Sequence, residues 1–167
     1  AHGYLGGQSE TAIRDCVAKR HDRSAFLLMD KLTEQYFHSQ EDIRPFFEKQ
    51  LALCGVEYFD FYLMHAQDKN KYQKFKKCRA YETAYRFKEE GLIRHFGISF
   101  HDKAEVLDGI LSEHPEVEAV QIQLNYLEVT FKDKNLIADI SRVWYTPFCV
   151  GLTRSGNHGS AFLSVIR

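Results

Sequence analysis

Short apolar runs alternate along this chain with longer stretches in which apolar residues recur every three or four positions. Ser9 and Glu10 precede one such stretch. It sets Ala12, Ile13, Cys16 and Val17 on one helical face and ends in the charged run Lys19-Arg20-His21-Asp22-Arg23. Phe26-Leu27-Leu28-Met29 then leads into Asp30-Lys31-Leu32, the continuous pattern of a strand covered on both faces. Ile43, Phe46, Phe47, Gln50, Leu51 and Cys54 keep helical spacing, and Gly55 suits a left-handed C-cap. A second strand is predicted from Tyr58 to His65. One long helix is predicted from about Lys71 to Glu90, with Phe75, Cys78, Tyr81 and Tyr85 as its buried stripe and Gly91 as its stop. Ile93 to Ser99 reads as a third strand, and Val106, Leu107, Ile110 and Leu111 as the apolar face of another helix. Val117 to Gln123 reads as a fourth strand, and Leu136, Ile137 and Ile140 open a further helix.

Strand followed by helix, repeated in succession, predicts a parallel α/β architecture. An open doubly wound sheet and a (β/α)8 barrel both satisfy that order. The strand ends Lys31, His65 and Ser99 lie 34 residues apart each time (65 − 31 and 99 − 65), and such regularity favours the barrel. A complete barrel takes about 250 residues. At 167 residues the expectation is an incomplete (β/α)8 TIM barrel, with N-terminal strands and C-terminal units outside the chain. The opening Ala1-His2-Gly3-Tyr4 has no initiator Met and reads as the inside of a motif, which also suggests a fragment.

Composition narrows the partners. With 22 basic against 23 acidic side chains the net charge is −1, which argues against nucleic acid or a charged membrane surface. No apolar run approaches the ~18–20 residues of a membrane span. Cys16, Cys54, Cys78 and Cys149 form no C-x-x-C pair and the eight histidines are scattered singly, so no metal site is expected. Gly6-Gly7 lacks the spacing of a dinucleotide-binding glycine loop. The lysines from Lys69 to Lys77 read as a solvated helix face. No signal segment is visible, so a soluble, cytoplasmic protein of unspecified oligomeric state is expected.

Each predicted strand ends on a polar residue: Lys31, His65, Ser99, then Gln121 and Asn125 around the fourth. Packing alone explains any one of them, but not the series. The C-terminal ends of barrel strands converge on one mouth, where catalytic groups sit. Two chemistries fit. A desolvated Lys31 could form a Schiff base with a carbonyl. Alternatively, Lys31 could lower the pKa of a nearby tyrosine, with a histidine orienting the substrate. Tyr4 stands at a suitable strand–loop junction for the second.

Several stretches carry a family resemblance. Ala1-His2-Gly3-Tyr4 with Ser9-Glu10 is similar to the motif D-T-A-x-x-Y-G-x-S-E. The run from Leu53 to His65 resembles L-x-x-D-Y-I-D-L-Y-L-L-H, and Glu89 to Ser99 resembles E-G-K-I-R-x-I-G-V-S. Phe26 to Lys31 and Val120 to Tyr126 resemble two further strands of the same family. On these motifs the chain resembles the aldo-keto reductases, NAD(P)H-dependent oxidoreductases built on a (β/α)8 barrel. The resemblance implies a small-molecule carbonyl substrate and NADPH (or NADH) as cofactor. It implies Tyr4 as general acid, Lys31 as the group lowering the Tyr4 pKa, and His65 as the residue orienting the carbonyl. Ser99 and Gln121 would bind the nicotinamide carboxamide, while Asp60 would support its strand without reacting.

The resemblance extends over residues 1–142 and identifies a bacterial-type member by Ser99-Phe100-His101. An Asp that pairs with the family's lysine would lie two positions before Ala1, and Asp30 is not expected to replace it, since adjacent strand residues face opposite ways. Residues 143–167 depart from the family and read as a divergent or out-of-frame tail, with Thr146 to Val150 as a divergent strand seven. The expected function is reduction of aldehydes or ketones to alcohols, inactive in this fragment. The alternatives are a non-catalytic barrel acting as a binding or regulatory subunit, and a Schiff-base lyase using Lys31. An opened barrel exposes strand edges, so poor folding or self-association of the isolated chain is expected.

Overall fold

The structure, a computed structural model, describes residues 2–124, 146–153 and 160–166; for Tyr4 and for residues 123–124, 146–153 and 160–166 the description is of the backbone. The helix expected at Leu136, Ile137 and Ile140, and Asn125, lie outside the described residues. The elements in chain order are α1 (His2–Leu5), α2 (Gln8–Ile13), β1 (Met29–Leu32), α3 (Ile43–Cys54), β2 (Phe59–Gln67) and α4 (Lys69–Lys77). They continue with α5 (Ala80–Glu89), β3 (Ile93–Phe100), α6 (Ala104–Glu113), β4 (Ala119–Leu124), β5 (Thr146–Thr153) and β6 (Ser160–Ile166). Two compact units result. One comprises Ala1–His65 and Gln73–Phe96, the other Ala66–Tyr72 and Gly97–Arg167.

In the first unit the hydrogen-bonded order is β1–β2–β3. β1 and β2 run parallel, with Met29 opposite Phe61 and Leu32 opposite Met64. The helix α3 has the predicted bounds, and all six residues of its predicted stripe are buried. Gly55 ends it at φ 67°, where the amides of Gly55 and Val56 turn back onto the carbonyls of Ala52 and Leu51. Phe47 on this helix stacks on Phe87 at 4.3 Å between centroids and meets Tyr62 edge-on at 4.9 Å. These rings join α3, α5 and β2 into one core.

Three expectations are corrected here. The helix expected from Lys71 to Glu90 is two helices, because Arg79 adopts a left-handed conformation at φ 52° and breaks the hydrogen-bond ladder. Tyr85, placed in the buried stripe, is 42% exposed. The α5 stripe instead centres on Ala84, with Ala80, Tyr81 and Phe87, and Tyr85 lies beyond its edge. The strand expected from Phe26 starts only at Met29, and Leu27 is 66% exposed. Upstream, Arg23 takes over the backbone, its guanidinium donating to the carbonyls of Phe26 and Tyr58.

Asp60 supports its strand as expected. Buried at the start of β2, its carboxylate accepts from Arg23 Nη2 at 2.6 Å, Arg94 Nη1 at 3.1 Å and the Leu28 amide at 2.8 Å. Both guanidiniums also lie against the Tyr58 ring, at 3.9 and 4.3 Å from its centroid.

In the second unit the order is β3–β4–β6–β5. β3 and β4 are parallel, with Gly97 opposite Ala119 and Ser99 opposite Gln121. Thr146 to Val150 is a strand, as expected, but not as a parallel barrel strand: β5 pairs antiparallel with β6, and β6 antiparallel with β4. A hairpin return places consecutive strands antiparallel, whereas a parallel neighbour needs a long crossover.

Candidate active site

Strand alternation sorts the residues of β1. Asp30 and Leu32 are buried on one face and Lys31 lies on the other. Lys31 pairs in register with Leu63, so His65, two positions further along β2, shares the Lys31 face. Thr33, two positions beyond Lys31, puts its Oγ1 3.0 Å from His65 Nδ1. Lys31, Thr33 and His65 therefore gather at the C-terminal ends of two adjacent parallel strands.

The backbone beneath them is pinned. Gln50 on α3 donates from Nε2 to the Lys31 carbonyl at 3.1 Å, and its Oε1 accepts from Tyr62 Oη at 2.6 Å. The Lys31 ammonium is sufficiently removed from water that burial lowers its pKa to about 8, against the opposing pull of the Asp30 charge. Burial in turn raises the Asp30 carboxyl far above the ordinary carboxylate range. Cys54, in the same interior, is pushed up to about 12 by burial, which leaves it a packing residue.

Tyr4 lies on α1, whose backbone abuts this strand end. A methyl group added at Gly3 would come 3.0 Å from both Oγ1 and Cγ2 of Thr33. Tyr36 Oη donates to the His2 carbonyl at 3.4 Å. The His2 ring is buried, edge-on to Tyr36 at 4.9 Å and Phe46 at 5.3 Å, with Nδ1 3.2 Å from Glu10 Oε1. The Tyr4 side chain lies outside the described residues; its backbone directly follows Gly3, which lies against Thr33. Neither Thr33 nor the His2–Glu10 pair was singled out from the sequence. The signal available for Thr33 was parity, since it continues the Lys31 face by two residues.

In the second unit Ser99 and Gln121 are directly paired across β3 and β4 and both are buried. Ser99 Oγ accepts from the Ala66 amide at 2.7 Å, which leaves its proton to donate. Ala66 is itself held at φ 51°, an uncommon conformation for a residue with a side chain. Gln121 Oε1 is buried with no hydrogen-bond partner among the described residues. A hydroxyl donor beside an unused carbonyl acceptor matches the two ends of a primary carboxamide, so this pair fits a nicotinamide. Among the described residues no group of three or more His, Cys, Asp or Glu could hold a metal ion, and no helix is long and apolar enough to cross a membrane.

A model of the Aldo/keto reductase family matches residues 1–155. The chain belongs to this family. Over 54 residues it is 41% identical to a probable NAD(P)H-dependent D-xylose reductase from Aspergillus clavatus, a stretch covering 32% of this chain and 15% of that protein. A thermostable aldo-keto reductase solved with the inhibitor epalrestat superposes on 84% of the chain and 49% of its own, at TM-score 0.71 and 20% identity. An aldo-keto reductase from Klebsiella pneumoniae in complex with NADPH covers 84% and 47%, at TM-score 0.65 and 17% identity. The chain thus spans about half the length of these solved aldo-keto reductases. The expected α/β class is borne out as part of the family's barrel.

Proposed function

We propose that the protein is an NAD(P)H-dependent oxidoreductase that reduces aldehydes or ketones to alcohols. The observation that carries the reading is a desolvated Lys31 on the same face as His65, at the ends of adjacent parallel strands, with Gly3, the residue before Tyr4, packed against Thr33 there. Tyr4 donates the proton to the carbonyl oxygen. An unassisted phenol, with a pKa near 10, is a poor acid at neutrality. Lys31, still protonated below pH about 8, favours the phenolate and so makes Tyr4 the stronger acid. His65 holds the carbonyl oxygen from its Nε2 side. When bound, the reduced nicotinamide supplies the hydride. Ser99 and Gln121 hold its carboxamide, which fixes the ring face presented to substrate. The relatives' names support this reading: one is a probable NAD(P)H-dependent D-xylose reductase, another an aldo-keto reductase in complex with NADPH.

The test is NADPH-dependent reduction of a panel of aldehydes and ketones by the chain, beside Tyr4→Phe and His65→Gln. Loss of a positioned acid should lower kcat by about 10²–10⁴. NADPH consumption that is indifferent to Tyr4→Phe would overturn the assignment of the acid. NADPH binding without turnover on any carbonyl would instead support the expectation that this chain alone is inactive. NADPH binding undisturbed by Ser99→Ala and Gln121→Leu together would remove the cofactor site.

A further inference from the structure

We propose that Ala66 is a positioning residue for Ser99: its backbone amide occupies the acceptor side of the Ser99 hydroxyl and so aims the hydroxyl proton at the oxygen of the bound carboxamide. The inference rests on the carboxamide-holding role given to Ser99 and Gln121 above, and extends it to a residue that acts through Ser99.

A hydroxyl both donates and accepts, and rotation about its Cβ–Oγ bond lets it exchange the two roles. By itself such a group does not tell the oxygen of a carboxamide from its NH2. The Ala66 N–H, 2.7 Å from Ser99 Oγ, can only donate, so the hydroxyl proton has to point away from it. Gln121 Oε1, on the strand paired with that of Ser99, does not take this proton, since it has no hydrogen-bond partner among the described residues. The proton is therefore directed to the carboxamide oxygen, and Gln121 Oε1 accepts from the NH2. Of the two ways round for a carboxamide, the Ala66 amide selects one.

The backbone of Ala66 carries the second part of the argument. Ala66 is the last residue but one of β2, yet its φ is 51°. A residue with a Cβ meets a steric cost there that glycine does not, and such a conformation persists only where its surroundings hold it. Two contacts hold this one. Ser99 Oγ takes the Ala66 amide, and the His101 amide donates to the carbonyl of Gln67 at 2.9 Å. For the fold alone, glycine would serve at this position at least as well. What alanine adds is stiffness, because a Cβ leaves the backbone fewer conformers and keeps the amide on the hydroxyl.

Amide hydrogen exchange and NADPH titration of the full chain test this, in the parent, Ala66→Gly, Ser99→Ala and the double variant. Exchange of the Ala66 amide, read without cofactor, should be slow in the parent and about tenfold faster or more in Ser99→Ala. Ala66→Gly should weaken NADPH binding roughly threefold to tenfold, while its urea midpoint equals or exceeds the parent's. On a Ser99→Ala background the same change should weaken binding no further, because nothing is left to position. An Ala66 amide that exchanges at the unprotected rate in the parent overturns the proposal. So does parent-like NADPH binding by Ala66→Gly where Ser99→Ala binds weakly, a result that leaves the carboxamide site standing. A full second loss on the Ser99→Ala background gives Ala66 a structural role instead and overturns the proposal as well. Ser99→Ala that binds NADPH as the parent does, or a parent that binds none, overturns the carboxamide reading and the proposal with it.

Discussion

Among single residues, Lys31 and Asp30 make the sharpest predictions, because burial moves them toward each other. Lys31 falls from 10.5 to about 8 and Asp30 rises from 3.8 to about 7. For Asp30, raised on folding, the stability contribution is complete below pH about 4 and is lost as pH rises through about 7. For Lys31, lowered on folding, it is complete above pH about 10 and is lost as pH falls through about 8. Together they place a stability minimum between pH about 7 and 8. Urea midpoints across pH 4 to 10 should therefore trace a shallow trough, which Asp30→Asn flattens on the acid side and Lys31→Met on the alkaline side. A trough unchanged in both variants would remove these residues as its cause. The same Lys31 value sets a limit on the proposed reduction. Above pH about 8 the ammonium loses its charge, so kcat/KM for reduction should fall, and Lys31→Arg, charged at all these pH values, should abolish that limb even if its rate is low.

Secondary-structure elements in the first unit are joined by contacts of very unequal worth. Asp60 binds two guanidiniums and an amide while itself buried. Asp60→Asn should cost about 1.5–3 kcal/mol in urea unfolding, since it weakens charge-assisted hydrogen bonds in a desolvated place. Arg44 and Glu90 also pair across elements, but in the open, and Glu90→Gln should change stability by less than about 1 kcal/mol. At the break between α4 and α5, Arg79→Gly should be neutral or stabilise by up to about 1 kcal/mol, because glycine adopts φ 52° without steric cost. Chemical denaturation of the three variants side by side checks this ordering.

Elements whose pattern and punctuation agree were legible in advance. The stripe of α3 and the cap at Gly55 point to the same helix, and both are where expected. The α4–α5 break was not legible, because neither Cys78 nor Arg79 is a helix-breaking residue and the apolar spacing runs through both. Likewise Phe26-Leu27 carries strand composition, yet the Arg23 guanidinium claims the nearby carbonyls. Among the candidate residues, Lys31 and His65 in the first unit and Ser99 and Gln121 in the second were visible as polar ends of apolar runs. Thr33 was not, because a threonine after a strand looks the same whether it starts a turn or reaches a histidine 32 positions away.

At the scale of the whole molecule, cofactor binding and self-association are the quantities to watch. If the carboxamide pair works as proposed, NADPH at 100 times its Kd should stabilise the chain by about 2.7 kcal/mol, and a thermal melt should register it. Ser99→Ala with Gln121→Leu should remove that shift. On the other side, β1 pairs with β2 along one edge and no described strand pairs with its other edge. Leu5 and Leu27 are also exposed in the same unit. An unpaired edge is a template for another chain, so sedimentation should show association that grows with concentration. A strictly monomeric chain at high concentration would mean that the edge is protected.

Ser99 holds the strained peptide at Ala66 and, in the proposed function, also a carboxamide, whereas Gln121 Oε1 has no hydrogen-bond partner among the described residues. The two residues should consequently age at different speeds. In a lineage that abandons the cofactor, the serine stays under selection for the backbone it restrains, while the glutamine is released at once. Natural sequences that keep a hydroxyl at position 99 but replace the amide at 121 would then mark the descendants in which reduction was given up and the fold retained.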